Sequence, residues 1–228
     1  TVLPDGRVLY DRWEYVDRNF GDAQGLWVCN QDGTRHAIYW GNNTTSPGGV
    51  INARQMPDGH VIAVLAACHD LPWGALGIID RTKGVDGREP VLRTWPAWFR
   101  GQVARGGFDA PSAVQRRFAD PFPLDARHFI AVRSLPDSEE TELVYLDLHG
   151  NEFTFHADAP GIHSPVLLRP SARPPVHPVQ RNFEHPNAKG AFLVQDVYVG
   201  THMKGVERGT IKALRIVESP EKRNWTVP

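Results

Sequence analysis

The sequence predicts an all-β protein of β-propeller type, a partial ring of about three to four antiparallel blades. Three observations predict it. A turn, a short apolar strand, a polar connector and a second strand ending in another turn recur along the chain, most plainly at Pro57-Asp58-Gly59-His60-Val61-Ile62-Ala63-Val64-Leu65 followed by Ala75-Leu76-Gly77-Ile78-Ile79-Asp80. Pattern and turns repeat at Asp5-Gly6 and Asp125, so the aligned aspartates are 58 − 5 = 53 and 125 − 58 = 67 residues apart. Those spacings exceed the ~40–50 residues usual for propeller blades and imply inserted loops. The 21 Gly and 19 Pro of the chain suit many turns between short strands better than helices.

The first repeat occupies residues 1–48. Its strand at 8–15 alternates in polarity as a half-buried strand does. A loop at 16–25 carries Asp17, Arg18, Asn19 and Asp22. The strand at 26–29 closes at Asp32-Gly33, a pair whose backbone twist suits a hairpin, and 37–40 returns beside it. The second repeat, 49–113, begins with an innermost strand at 49–55. It continues through 61–67, almost wholly apolar and so expected to be covered on both faces. Strands at 75–79 and 91–95 complete it, and 96–113 is an inserted loop holding Trp98 and Phe99. The third repeat, 114–159, supplies strands near 115–122, 129–132, 143–146 and 152–156. A Pro-rich extended linker follows at 160–190, because proline cannot donate to a ladder. A terminal strand pair, 191–198 with 210–217, is expected within 191–228.

At 228 residues with 41% hydrophobic side chains, the chain is long enough to bury a sizeable core. Its 25 basic and 26 acidic residues give no electrostatic case for nucleic acid, and no apolar run is long enough to span a bilayer. Cys29 and Cys68 permit at most one internal disulfide, and buried thiols are the simpler expectation. The chain opens inside a repeat, which suggests a piece of a longer protein.

Metal ligation is the sharpest chemical candidate. Cys68-His69-Asp70 places thiolate, imidazole and carboxylate at a strand end, with His163 and His156 as further donors; Cys68, His69 and His163 form the candidate zinc set. Adjacent residues of an extended chain point to opposite faces, so two of the three could share an ion. The competing expectation for His69 is a hydrogen-bonded structural histidine. Arg12, Glu14, Asp17 and Arg18 form an ion-pair group or a binding rim. No Gly-x-Ser-x-Gly, His-Glu-x-x-His or phosphate-loop motif occurs, so no catalytic residue is assigned.

The repeats resemble the TolB-type propeller repeat. Arg12-Trp13-Glu14-Tyr15-Val16-Asp17-Arg18, Asn52-Ala53-Arg54, Gln195-Asp196-Val197-Tyr198 and Arg208-Gly209-Thr210-Ile211-Lys212 resemble the middle domain of the hydrazine synthase alpha subunit, and the likeness covers nearly the whole chain. The resemblance implies a six-bladed propeller in a large, extracytoplasmic or periplasmic bacterial protein. Flanking domains of c-type cytochrome character, or other subunits, would be its partners. A c-type haem needs Cys-x-x-Cys-His, and neither cysteine has that spacing, so haem is expected in flanking domains and not in this segment. Three functions stay open: a non-catalytic scaffold or docking segment, a contributor of metal- or haem-pocket residues to an oxidoreductase, and a TolB-like peptide or glycan recognition module.

Overall fold

A computed structural model describes residues 1–14, 24–136, 138, 140–158, 161–185, 187–200 and 202–217. The chain divides into two units, Thr1–Asn182 and Phe183–Pro228. The first is all-β and antiparallel. Its strands are β1 (Val8–Trp13), β2 (Gln24–Cys29), β3 (Ala37–Trp40), β4 (Gly49–Gln55), β5 (Val61–Ala66), β6 (Gly74–Ile79), β7 (Val91–Trp95), β8 (Phe118–Pro123), β9 (His128–Ser134), β10 (Thr141–Asp147) and β11 (Glu152–Asp158). The expected loop at 16–25 lies outside the described residues as far as 23, and short 3-10 turns occupy the insertion after β7.

The strands make a three-stranded sheet, β1-β2-β3, and an eight-stranded one, β11-β10-β9-β8-β6-β5-β4, with β7 also paired to β6. Only Gly74 and Phe118 pair between β6 and β8. The larger sheet is therefore two four-stranded meanders joined at one point, so that β1–β3, β4–β7 and β8–β11 form the first, second and third sheets. No closed barrel forms among the described residues.

The recurring turns explain why the strands start where they do. Leu3, Met56 and Leu124 donate their N–H groups to the carbonyls of Arg7, His60 and His128 at 2.8, 2.8 and 2.9 Å, closing three equivalent turns. The aspartate in each turn accepts backbone N–H groups that would otherwise lack partners: Asp5 from Arg7, Asp58 from His60, and Asp125 from Arg127 and His128. Gly6 and Gly59 take φ of +88° and +91°, which a side chain would resist. Asp32, Asp80 and Asp147 cap the far turns in the same manner.

Corresponding positions after the three turns are paired with the next strand in each sheet. Leu9 pairs with Val28, Ile62 with Ile78, and Ile130 with Tyr145. Leu9 and Val28 pack with Val61, Ala63 and Leu65 in the core between the first and second sheets. Ile62 and Ile78 pack with Phe129, Ala131 and Val144 in the core between the second and third, where Trp95 meets Phe129 edge to face at 4.9 Å. As expected from its unbroken apolar run, β5 is buried at every position.

In the second unit, the expected strand pair is not formed: residues 191–198 and 210–217 carry no strand. Phe192, Leu193 and Ile216 are exposed, so the apolar residues that suggested strands have no sheet face to bury them. Local polar bonds order this stretch instead. Arg208 pairs with Asp196 at 2.6 Å, and the Tyr198 hydroxyl accepts from the Gly209 N–H at 2.6 Å. The described residues of the Pro-rich stretch carry no strand or helix, and its part up to Asn182 belongs to the first unit.

Candidate functional site

In the connector after β5 the three donor side chains are bonded to three separate partners. The Cys68 sulfur accepts from Gln24 Nε2 at 2.8 Å, His69 Nδ1 lies 2.9 Å from Asp109 Oδ2, and Asp70 accepts from Arg117 at 2.6 Å. Asp109 also takes the backbone N–H groups of Cys68 and His69. Burial pushes the Cys68 thiol up, against the opposing effect of the Gln24 hydrogen bond. His163 lies beside Ser164, which is bonded to Asp120 of β8, and His156 lies on the exposed strand β11. Among the described residues no three His, Cys, Asp or Glu side chains are placed to hold a metal ion. Both cysteines are free.

Arg12 and Glu14 form the expected ion pair at 2.8 Å, and the Arg12 guanidinium lies over the Trp27 ring; Asp17 and Arg18 lie outside the described residues. Trp95 and Phe99 are core residues, whereas Trp98 is half exposed.

The better site is a polar cleft of about 360 Å³ where β1, β4, β8 and the Pro-rich segment meet. It is built by two equivalent bulges. The β4–β5 register shifts between Ile51 and Arg54, and the β8–β9 register shifts between Ala119 and Phe122. At the centre of each bulge a non-glycine residue takes the left-handed region, Asn52 at φ +52° and Asp120 at +47°, and Ser164 opposite them is at +49°. Asn and Asp tolerate that region better than other side chains, and a bulge re-aims the residue it carries. Asn52 Nδ2 donates to Asp120 Oδ1 at 2.6 Å, and the Ser164 N–H donates to Asp120 Oδ2 at 2.8 Å. Arg54 and Asp11 complete the polar wall. Each Asp120 oxygen thus accepts one hydrogen bond, which fixes the carboxylate at the cleft wall. One signal for it was in the sequence: Asn52 and Asp120 stand the same distance before the turn heads Met56 and Leu124, 56 − 52 = 4 and 124 − 120 = 4 residues.

A second surface lies on the outer face of the third sheet. Ile130, Leu143 and Tyr145, the counterparts of residues covered by a neighbouring sheet in the two earlier repeats, line an apolar cleft of about 580 Å³ with Phe153 and Phe155. Phe153 and Phe155 are 63% and 49% exposed. No helix among the described residues is long and apolar enough to cross a membrane. No family model, curated protein or solved structure matches the chain.

Proposed function

We propose that the chain is a non-catalytic β-propeller segment that scaffolds or docks domains within a larger extracytoplasmic protein resembling the hydrazine synthase alpha subunit. One observation carries this reading. The paired positions Leu9/Val28 and Ile62/Ile78 are each buried under the next sheet, and the third copy, Ile130/Tyr145, faces outward with aromatic residues beside it. The opposite end of the stack is more polar: Tyr10 bonds His36 at 2.6 Å, and Arg12 covers Trp27. A stack with one polar end and one apolar end is built to be continued in one direction.

In this reading any haem sits in flanking domains. The cysteines here lack the spacing for thioether attachment, and the connector's donors are bound to Gln24, Asp109 and Arg117. The bulged cleft with Asn52, Arg54 and Asp11 favours a second reading, a TolB-like module recognising a peptide or glycan by hydrogen bonds.

The test compares the chain alone with a longer product of its reading frame, using ANS fluorescence as the probe of uncovered apolar surface. The chain alone should bind ANS, Leu143→Glu should reduce that binding, and the longer protein should bind much less at this face. Equal Leu143-dependent ANS binding in both forms would refute docking.

A further inference from the structure

Residues 162–181 carry no strand or helix, yet they are fastened at both ends to the first unit. At the start, the Ile162 N–H donates to Thr141 Oγ1 at 2.5 Å, the Ser164 N–H to Asp120, and Arg169 to the Leu124 carbonyl at 2.8 Å, all on the third sheet or its turns. At the end, the segment is bound to the two turns of the first sheet. Gln31 Nε2 donates to the Pro175 carbonyl at 2.8 Å, His177 Nε2 lies 2.7 Å from the Asp5 carbonyl, and Arg35 donates to Gln180 Oε1 at 2.8 Å. Asp32 divides its carboxylate: Oδ1 caps its own turn at Thr34, and Oδ2 accepts the N–H groups of Gln180 and Arg181 at 2.6 and 3.2 Å. The fit is close at Gly6, where an added Cβ would run into the Pro175 carbonyl oxygen.

We propose that this segment is a clasp: it ties the third sheet to the first and, through residues 162–167, acts as a removable cover over the apolar face of Ile130, Leu143 and Tyr145. Ile162, Val166 and Leu167 line the cleft above that face, and Ser164 and Pro165 wall the polar cleft beside it. The occupant of the face in this structure is thus the chain's own segment. Stiffness links its ends, because Pro165, Pro170, Pro174, Pro175 and Pro178 restrict the backbone to extended conformations. A sheet docking on the face would have to lift residues 162–167, a consequence that rests on the scaffold reading, whereas the clasp itself does not.

The test therefore needs no partner. Asp32→Asn combined with Gln31→Ala keeps an oxygen for the Thr34 cap but strips acceptor and donor from the far end of the clasp. Amide exchange should accelerate about tenfold at Ile162 and Ser164, 180 − 164 = 16 residues from Gln180. ANS binding should rise, and the amides of Val64 and Val132 should keep their protection. His177→Ala, which removes only the clasp's bond to the Asp5 carbonyl, should give the same pattern in milder form, and it decides the matter if the double variant loses its core protection. Acceleration confined to residues 175–181, with Ile162 and Ser164 unchanged in either folded variant, would overturn the clasp. Failure of the docking test with exchange coupled as stated would leave the clasp standing and remove only its proposed partner.

Discussion

Arg133→Ala is expected to destabilise the chain by about 3–5 kcal/mol, the range for removing one member of a buried ion pair. Arg133 sits on β9 at the position that Leu65 holds on β5, and only 6% of its side chain is exposed. Its guanidinium donates to Glu142 at 2.6 Å, to Glu152 at 2.5 Å and to Thr154 at 3.1 Å, and Thr154 in turn donates to Glu142 at 2.7 Å. Alanine would leave the Glu142 carboxylate, itself 10% exposed, facing a cavity. Arg133→Met with Glu142→Leu should recover most of the loss, since well-packed apolar replacements of buried pairs are often neutral or stabilising. Urea unfolding of the single and double variants measures both effects.

The same pair sets a pH dependence with a definite sign. Burial alone would raise the Glu142 pKa; the Thr154 hydroxyl, Arg133 and Arg116 outweigh it and hold the carboxyl below the usual range. A depressed folded value contributes stability that is present above the unfolded pKa of about 4.3 and is lost as pH falls through the folded value. In Arg133→Ala the guanidinium's hydrogen bond and charge are lost while burial, Thr154 and Arg116 remain, so the depression shrinks and with it the stability held above the unfolded pKa. The variant should therefore be most destabilised at pH 7, with the gap to the parent narrowing towards pH 4. A gap that widens on acidification would show that Arg133 does not govern Glu142.

Strand positions were legible because local chemistry wrote them three times. An aspartate that caps its own turn two residues on, a glycine at positive φ and an alternating or continuous apolar run each act within a few residues, so β3, β4 and β7 fall where the sequence predicts. Residues 191–198 and 210–217 carry the same apolar character without those turns in the same place. Their strand reading fails because a strand needs a partner face, which composition cannot supply. The candidate site was less legible for a similar reason. Cys68, His69 and Asp70 were conspicuous as donors, but whether donors meet depends on Gln24, Asp109 and Arg117, which lie 44, 40 and 47 residues from their respective partners. Asn52 and Asp120 were inconspicuous in type, and it is the bulges at equivalent places that bring them together. The clasp could be foreseen as extended from its prolines, but not as fastened, because its bonds run to Gln31 and Asp32 from residues almost 150 positions away, at |i−j| of 144 and 148.

The second large effect distinguishes a covered sheet face from an open one within the same sheet. Phe129 and Tyr145 lie on neighbouring strands of the third sheet but face opposite ways: Phe129 is fully buried against Trp95 and the second sheet, whereas Tyr145 lies in the cleft beneath residues 162–167. Phe129→Ala removes an aromatic ring from a packed interface that the flanking strands cannot close, and should cost about 3–5 kcal/mol. Tyr145→Ala removes a ring that is half-buried and stacked on His128 at 5.7 Å, with no second sheet above it, and should cost about 1 kcal/mol or less. Denaturant unfolding of the isolated chain gives both values. In a form of the protein where another sheet covers Ile130, Leu143 and Tyr145, the Tyr145→Ala cost should rise towards that of Phe129→Ala, because the two positions would then be buried alike. Equal costs in the isolated chain would mean that the clasp already seals the outer face as a sheet does, and the docking surface would have to be sought elsewhere.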